Sequence, residues 1–131
     1  MSGDLAQRQA ELLRALVAGG DVPEGFDRGR VAIARKMLLR KRARSVRRDW
    51  PHLAAQYGDR WEESFAAWGE GRPTRGSILD GYDFARENPP SDAAASLEFM
   101  VCQARSRPFA VRIGRRALVV AIRGRAWWKL W

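Results

Sequence analysis

The sequence is poor in the side chains that build metal centres and covalent active sites: its 131 residues include one cysteine, Cys102, and one histidine, His52. A single thiol excludes an intramolecular disulfide and fits a reducing compartment. Zinc, copper and non-haem iron sites draw mainly on histidine and cysteine, and one copy of each would need a carboxylate cluster that the sequence does not present. No metal and no cofactor is therefore expected. The longest strongly apolar run, 117–122, falls far short of the about 20 residues that cross a bilayer, so no membrane span is expected. Asp4 and Arg8 stand where a signal peptide would need an apolar stretch, and the expectation is a cytoplasmic chain.

Catalytic constellations are equally sparse. Cys102 sits among Met100, Val101 and Ala104 and reads as a small core residue. His52, directly after Pro51, reads as a surface or helix-start residue. The carboxylates Glu62-Glu63 and Asp80 with Asp83 lie near helix starts, where the macrodipole favours acids. Gly69-Glu70-Gly71 follows a helix and is not a phosphate-cradling turn between strand and helix. The sequence thus points to a binding module and not to an enzyme.

What the chain has in excess is arginine. Its 24 Lys plus Arg against 15 Asp plus Glu leave a net charge of +9, which favours polyanions or acidic protein partners. The excess is segregated. The stretch 28–48 holds ten basic residues and no acid, 49–98 is predominantly acidic, and after Glu98 every charged residue is basic. At 100° per residue, Val31, Leu38, Leu39, Ala43 and Val46 gather on one side of a helix over 28–48. Lys36, Arg40, Arg44, Arg47 and Arg48 cover the other side. Arg35 and Arg42 fall inside the apolar arc, where a guanidinium must reach outward or find a partner. These seven residues are the candidate surface for docking an acidic protein or a nucleic acid.

Periodicity predicts an α+β fold, an N-terminal helical bundle followed by a small antiparallel hairpin or three-stranded sheet. Helices are expected over 4–18, 28–48, 51–57 and 77–86, with another led by a capping box at Asp59 to Glu62. In that helix Trp61, Phe65 and Trp68 share one face. A last helix, capped by Ser91 or Asp92, reaches Arg105 and buries Leu97, Met100, Val101 and Ala104. Phe109, Val111 and Ile113 alternate as a strand; Leu118, Val120 and Ile122 lie in a second; a turn at Gly124-Arg125 returns 126–131 as a third, with Trp127, Trp128 and Trp131. Tryptophan concentrates binding energy, and a small sheet offers an open edge to an extended peptide. Phe109, Val111, Ile113, Leu118, Val120, Ile122, Trp127 and Trp128 are the candidate peptide-binding residues, against the alternative that the tryptophans pin the sheet to the helices.

The run Arg30-Val31-Ala32-Ile33-Ala34-Arg35-Lys36, then Trp50-Pro51, Gly58 and Trp61, resembles the N-terminal domain of proteins described as DNA-binding and encoded beside multinuclear non-haem iron oxidases, enzymes that modify cysteine-containing peptides such as methanobactin precursors. Gly71-Arg72-Pro73 and the helix at Ile78 to Phe84 continue the likeness over about residues 5–88. Ala34, Met37 and Lys41 depart from the family's tyrosine and asparagines. The tail is similar to short actinobacterial relatives in which a β element replaces a second domain. The resemblance implies a helical partner-protein domain over 1–88 and a helix plus β element over 89–131. It also implies an accessory role in the biosynthesis of ribosomal peptides: the helical part docks on the oxidase, which owns the iron, and the β part holds the precursor peptide or a cysteine-containing substrate protein. The alternative is a DNA- or RNA-binding regulator that uses the basic helix.

Overall fold

The computed structural model describes residues 2–107, 109–115 and 117–131, with the side chains of Ser2, Phe109 and Ala110 outside the description. It has the expected α+β architecture: α1 (Ser2–Ala18), α2 (Arg28–Asp49), α3 (Pro51–Tyr57), a 3-10 turn (Gly58–Arg60), α4 (Trp61–Gly69), α5 (Ser77–Glu87), α6 (Ala93–Arg105), then β1 (Phe109–Ile113), β2 (Ala117–Ile122) and β3 (Arg125–Leu130). Among the described residues no helix is long and apolar enough to cross a membrane.

Local chemistry explains most boundaries. Asp27 caps α2 by accepting from the Gly29 and Arg30 N–H groups, and Asp92 caps α6 through Ala94 and Ala95, each meeting donors that the first helical turn leaves free. Pro51 opens α3, where its missing N–H costs nothing. The capping box expected at Asp59 does not form. Tyr57, Arg60 and Trp61 all hold right-handed helical geometry, so the chain passes from the 3-10 turn straight into α4. The non-helical residue before α4 is Gly58 (φ 55°, ψ −130°), which has no side chain to turn back onto the helix start.

The core is aromatic. Trp50, Trp61, Phe65 and Phe84 are buried together with Ala43, Val46, Leu53, Ala54 and Ala85. Phe84 sits at the centre, 5.2 Å from the Trp61 ring edge-on and 5.5 Å from Trp68 in the same manner, geometries that the ring quadrupoles favour. The two buried indoles are also satisfied: Trp61 Nε1 donates to the Ala43 carbonyl at 2.8 Å and Trp50 Nε1 to that of Ile78 at 3.1 Å. The interior is therefore directional as well as oily.

Helix α6 joins the two layers. Phe99 and Cys102 pack on the helical core, while Leu97, Met100, Val101 and buried Ala104 pack on the sheet. The sheet is antiparallel in the order β1-β2-β3. Its register pairs Val111 with Val120, Ile113 with Leu118, Val119 with Trp128, and Val120 with Trp127. Since strand residues alternate between faces, Ala117, Val119 and Ala121 turn toward α6 and are buried. The β2–β3 turn falls one residue earlier than expected, at Arg123-Gly124, both with positive φ (49° and 81°), the pattern a tight two-residue hairpin demands.

Candidate functional site

Two surfaces merit description: the basic helix and the sheet. On α2 the structure separates the seven candidate residues. Arg35 donates from Nε to the Ala15 carbonyl at 2.9 Å and from its terminal nitrogen to Gly20 at 3.2 Å, so it fastens the end of α1. Arg42 pairs with buried Asp80 at 2.7 Å and also donates to the carbonyls of Arg72 at 2.6 Å and Pro73 at 3.4 Å. Its guanidinium also lies 5.6 Å from the Phe65 ring centroid. Arg35 and Arg42 thus spend guanidinium donors inside the fold, although Arg35 also lines the groove between α2 and α4. Their place in the apolar arc was the legible signal, because an inward guanidinium needs internal acceptors.

The remaining five stay exposed, but not in a purely positive field. Helix α4 lays an acidic ridge beside α2, and a groove of about 900 Å³ runs between Lys36, Arg40 and Arg47 on one wall and Asp59, Glu62 and Glu70 on the other. Arg44 bridges the two, meeting Glu62 at 2.9 Å. That hydrogen bond, reinforced by the charges of Arg44, Arg47 and Arg40, holds the Glu62 carboxyl below its ordinary range despite some desolvation. Arg47 reaches the Gly58 carbonyl at 3.4 Å and Arg48 the Ser45 hydroxyl at 3.2 Å. A phosphate backbone laid along this stripe would meet carboxylates within the same groove.

Asp80 is a buried acid of the helical core. It is 1% exposed, and burial alone would push its carboxyl up. The Arg42 guanidinium, the Arg75 N–H at 2.9 Å and the Thr74 hydroxyl at 2.7 Å more than offset this and hold it below its usual value. It ties the 72–76 connection onto α2.

On the sheet, the register places Val111, Ile113, Leu118, Val120, Ile122 and Trp127 on the face turned away from α6. Ile113 is 75% exposed and Trp127 55%, so this apolar face is open. Phe109 belongs to the same register position on β1, and its side chain lies outside the described residues. Trp128 separates from this group. It shares the face of buried Val119, toward α6, yet remains 54% exposed at the mouth of a groove of about 600 Å³. Cys102 lines that groove as well, half-buried instead of sealed in the core, with its thiol pushed up by burial. The groove itself was not visible in the sequence, since it arises where α3, α5 and α6 meet under β3.

Comparison with known proteins completes the description. The profile of the family described as "SCO6045-like, C-terminal domain" matches residues 6–89, from α1 through α5. A protein described as a UPF0276 protein, from Streptomyces avermitilis, is 41% identical over 96 residues, 70% of this chain and 20% of that relative. The chain thus spans about a fifth of the relative's length. No solved structure matches.

Proposed function

The chain belongs to the SCO6045-like C-terminal domain family, and from that premise we propose that it is a non-catalytic partner protein which docks on a multinuclear non-haem iron oxidase and helps present a ribosomal precursor peptide to it. The observation that carries the reading is the comparison with the longer relative, in which the matched segment is one fifth of a chain. A module that occurs within a longer chain works beside the remaining four fifths of that chain, which favours an accessory role over a self-sufficient one. The mixed charge of the α2–α4 groove supports a protein partner, since arginine forks next to carboxylates suit a surface that offers both signs. The open apolar sheet supports the peptide role, because a small sheet can accept an extended segment as an additional strand.

The competing reading is a nucleic-acid regulator that uses the exposed part of α2. It predicts micromolar binding to random duplex or single strands at physiological salt, a steep decline with added salt, and loss on reversing Arg40, Arg44 and Arg47 to glutamate. The partner reading predicts no such binding. With Glu62, Glu63 and Glu70 beside the stripe, filter binding at 0.15 M salt is expected to show only weak association with duplex DNA. Micromolar affinity that disappears in the reversed variant would establish the regulator instead.

A further inference from the structure

The sheet has two outer strands, β1 and β3, and the chemistry beneath them differs. Under β1, Arg112 turns inward and donates to Gln103 Oε1 at 3.1 Å, so a charged side chain lies below that edge. Under β3 lies the 600 Å³ groove, with Trp128 at its mouth, Leu97, Val101 and Cys102 of α6 along its floor, and Ile78 and Leu79 of α5 as its far wall. Ile78 and Leu79 are 51% and 42% exposed, large apolar side chains with nothing over them.

We propose that β3 is the edge that receives an extended peptide, and that the peptide is acidic, with an aliphatic or aromatic side chain directed into the groove beside Trp128. The inference rests on the peptide-presenting role proposed above and adds its site, its edge and its ligand chemistry. A strand added to β3 lies about 4.8 Å beyond it. Alternate side chains of that strand point to opposite faces. One set continues the outer apolar face past Trp127, and the other descends over the groove, which supplies side-chain selectivity where main-chain pairing supplies affinity.

The acidic character follows from charge. Every charged residue after Glu98 is basic, including Arg105 at the groove and Arg123, Arg125 and Lys129 on or beside β3. The groove's two carboxylates are already engaged: Glu98 accepts from the N–H groups of His52 and Leu53 at 3.3 and 2.8 Å, and Asp49 accepts from the Ser77 hydroxyl. A second copy of this chain would bring an equally basic β3 against the first, and like charges across such an edge oppose pairing. Acidic side chains flanking an apolar anchor satisfy both features.

The test is binding of a short fluorescein-labelled peptide in which valine and leucine alternate with glutamate, measured by anisotropy on the full chain at physiological salt. Cys102, the only cysteine, reports occupancy of the groove through its rate of reaction with a thiol reagent. The expected result is binding that slows Cys102 modification, weakens about thirty-fold in Trp128→Ala, as for a buried tryptophan anchor, and about ten-fold in Leu79→Lys. Arg112→Ala, on β1, retains wild-type affinity. Thermal melts of each variant separate lost binding from lost folding. Binding that is lost in Arg112→Ala but kept in Trp128→Ala and Leu79→Lys would overturn the β3 site while leaving the peptide role intact. Equal affinity for a counterpart with lysine in place of glutamate would overturn the acidic class. Failure of both peptides to bind would overturn this inference together with the peptide role.

Discussion

Replacing Asp80 with alanine is expected to lower the stability of the fold by about 3–5 kcal/mol, the usual cost of leaving one member of a buried ion pair without its partner. Arg42, with its side chain only 12% exposed, would keep its charge and its place against Phe65 while losing its carboxylate. The Thr74 hydroxyl and Arg75 N–H would lose their acceptor together, freeing the connection between α4 and α5. Urea unfolding followed by tryptophan fluorescence measures the loss. Removing both charges, as in Arg42→Met with Asp80→Leu, is expected to recover part of it, because the isolated buried charge and not the missing bridge dominates the penalty. A loss under about 1 kcal/mol, the range of exposed pairs, would contradict the account.

The same carboxyl gives the stability a sign with pH. Its folded value is lowered relative to the unfolded chain, so its contribution is fully present above the unfolded value of about 3.9 and is lost as pH falls through the lower folded value. The melting temperature of the wild type should fall in that acid window, and the Asp80→Ala variant should lose less over the same range.

The second large effect is expected at Gly81 on α5. Alanine is the better helix former by about 1 kcal/mol, and propensity alone predicts a gain. Packing decides otherwise. A Cβ at Gly81 would stand 2.2 Å from Cδ1 and Nε1 of Trp50, whose indole is 2% exposed and held by the Ile78 carbonyl. Either the ring leaves its hydrogen bond or α5 moves off α2, and overpacking of this kind costs about 3 kcal/mol. Gly81→Ala should therefore destabilise by about 2 kcal/mol net, with a changed near-ultraviolet spectrum as Trp50 shifts. A variant more stable than wild type, with an unaltered spectrum, would show that the contact is not tight.

These two positions also mark where the sequence was readable. The apolar arc of α2 marked Arg35 and Arg42 as guanidiniums that must either reach outward or find a partner, and the structure shows that both found internal acceptors. Asp80 as the partner was hidden, since the pair is brought together by tertiary packing over 38 residues of chain. Helix and strand limits followed from Pro51, Asp27, Asp92 and the period-two alternation near Val111, all local signals. The junction at Asp59 misled because its sequence satisfies a capping box while Asp59 itself lies inside the 3-10 turn, one residue after the non-helical Gly58. Gly81 looked like an ordinary helical glycine until the indole above it came into view. On the surface, the outer sheet face was legible as alternation, whereas the opposite orientation of Trp128 required the β2–β3 register. The groove beneath it could not be foreseen from any single element, because residues of four helices and a strand line it.

The central claim, the proposal that this module serves an iron oxidase and its peptide, is tested most directly by co-expressing the tagged full chain with a multinuclear non-haem iron oxidase and a precursor peptide encoded near it, then weighing what co-purifies. The account predicts a complex of module and oxidase in both wild type and Trp128→Ala, with the precursor retained by the wild type and lost from the variant. An oxidase that never co-purifies with the folded module, at the salt concentration of the cell, would contradict it.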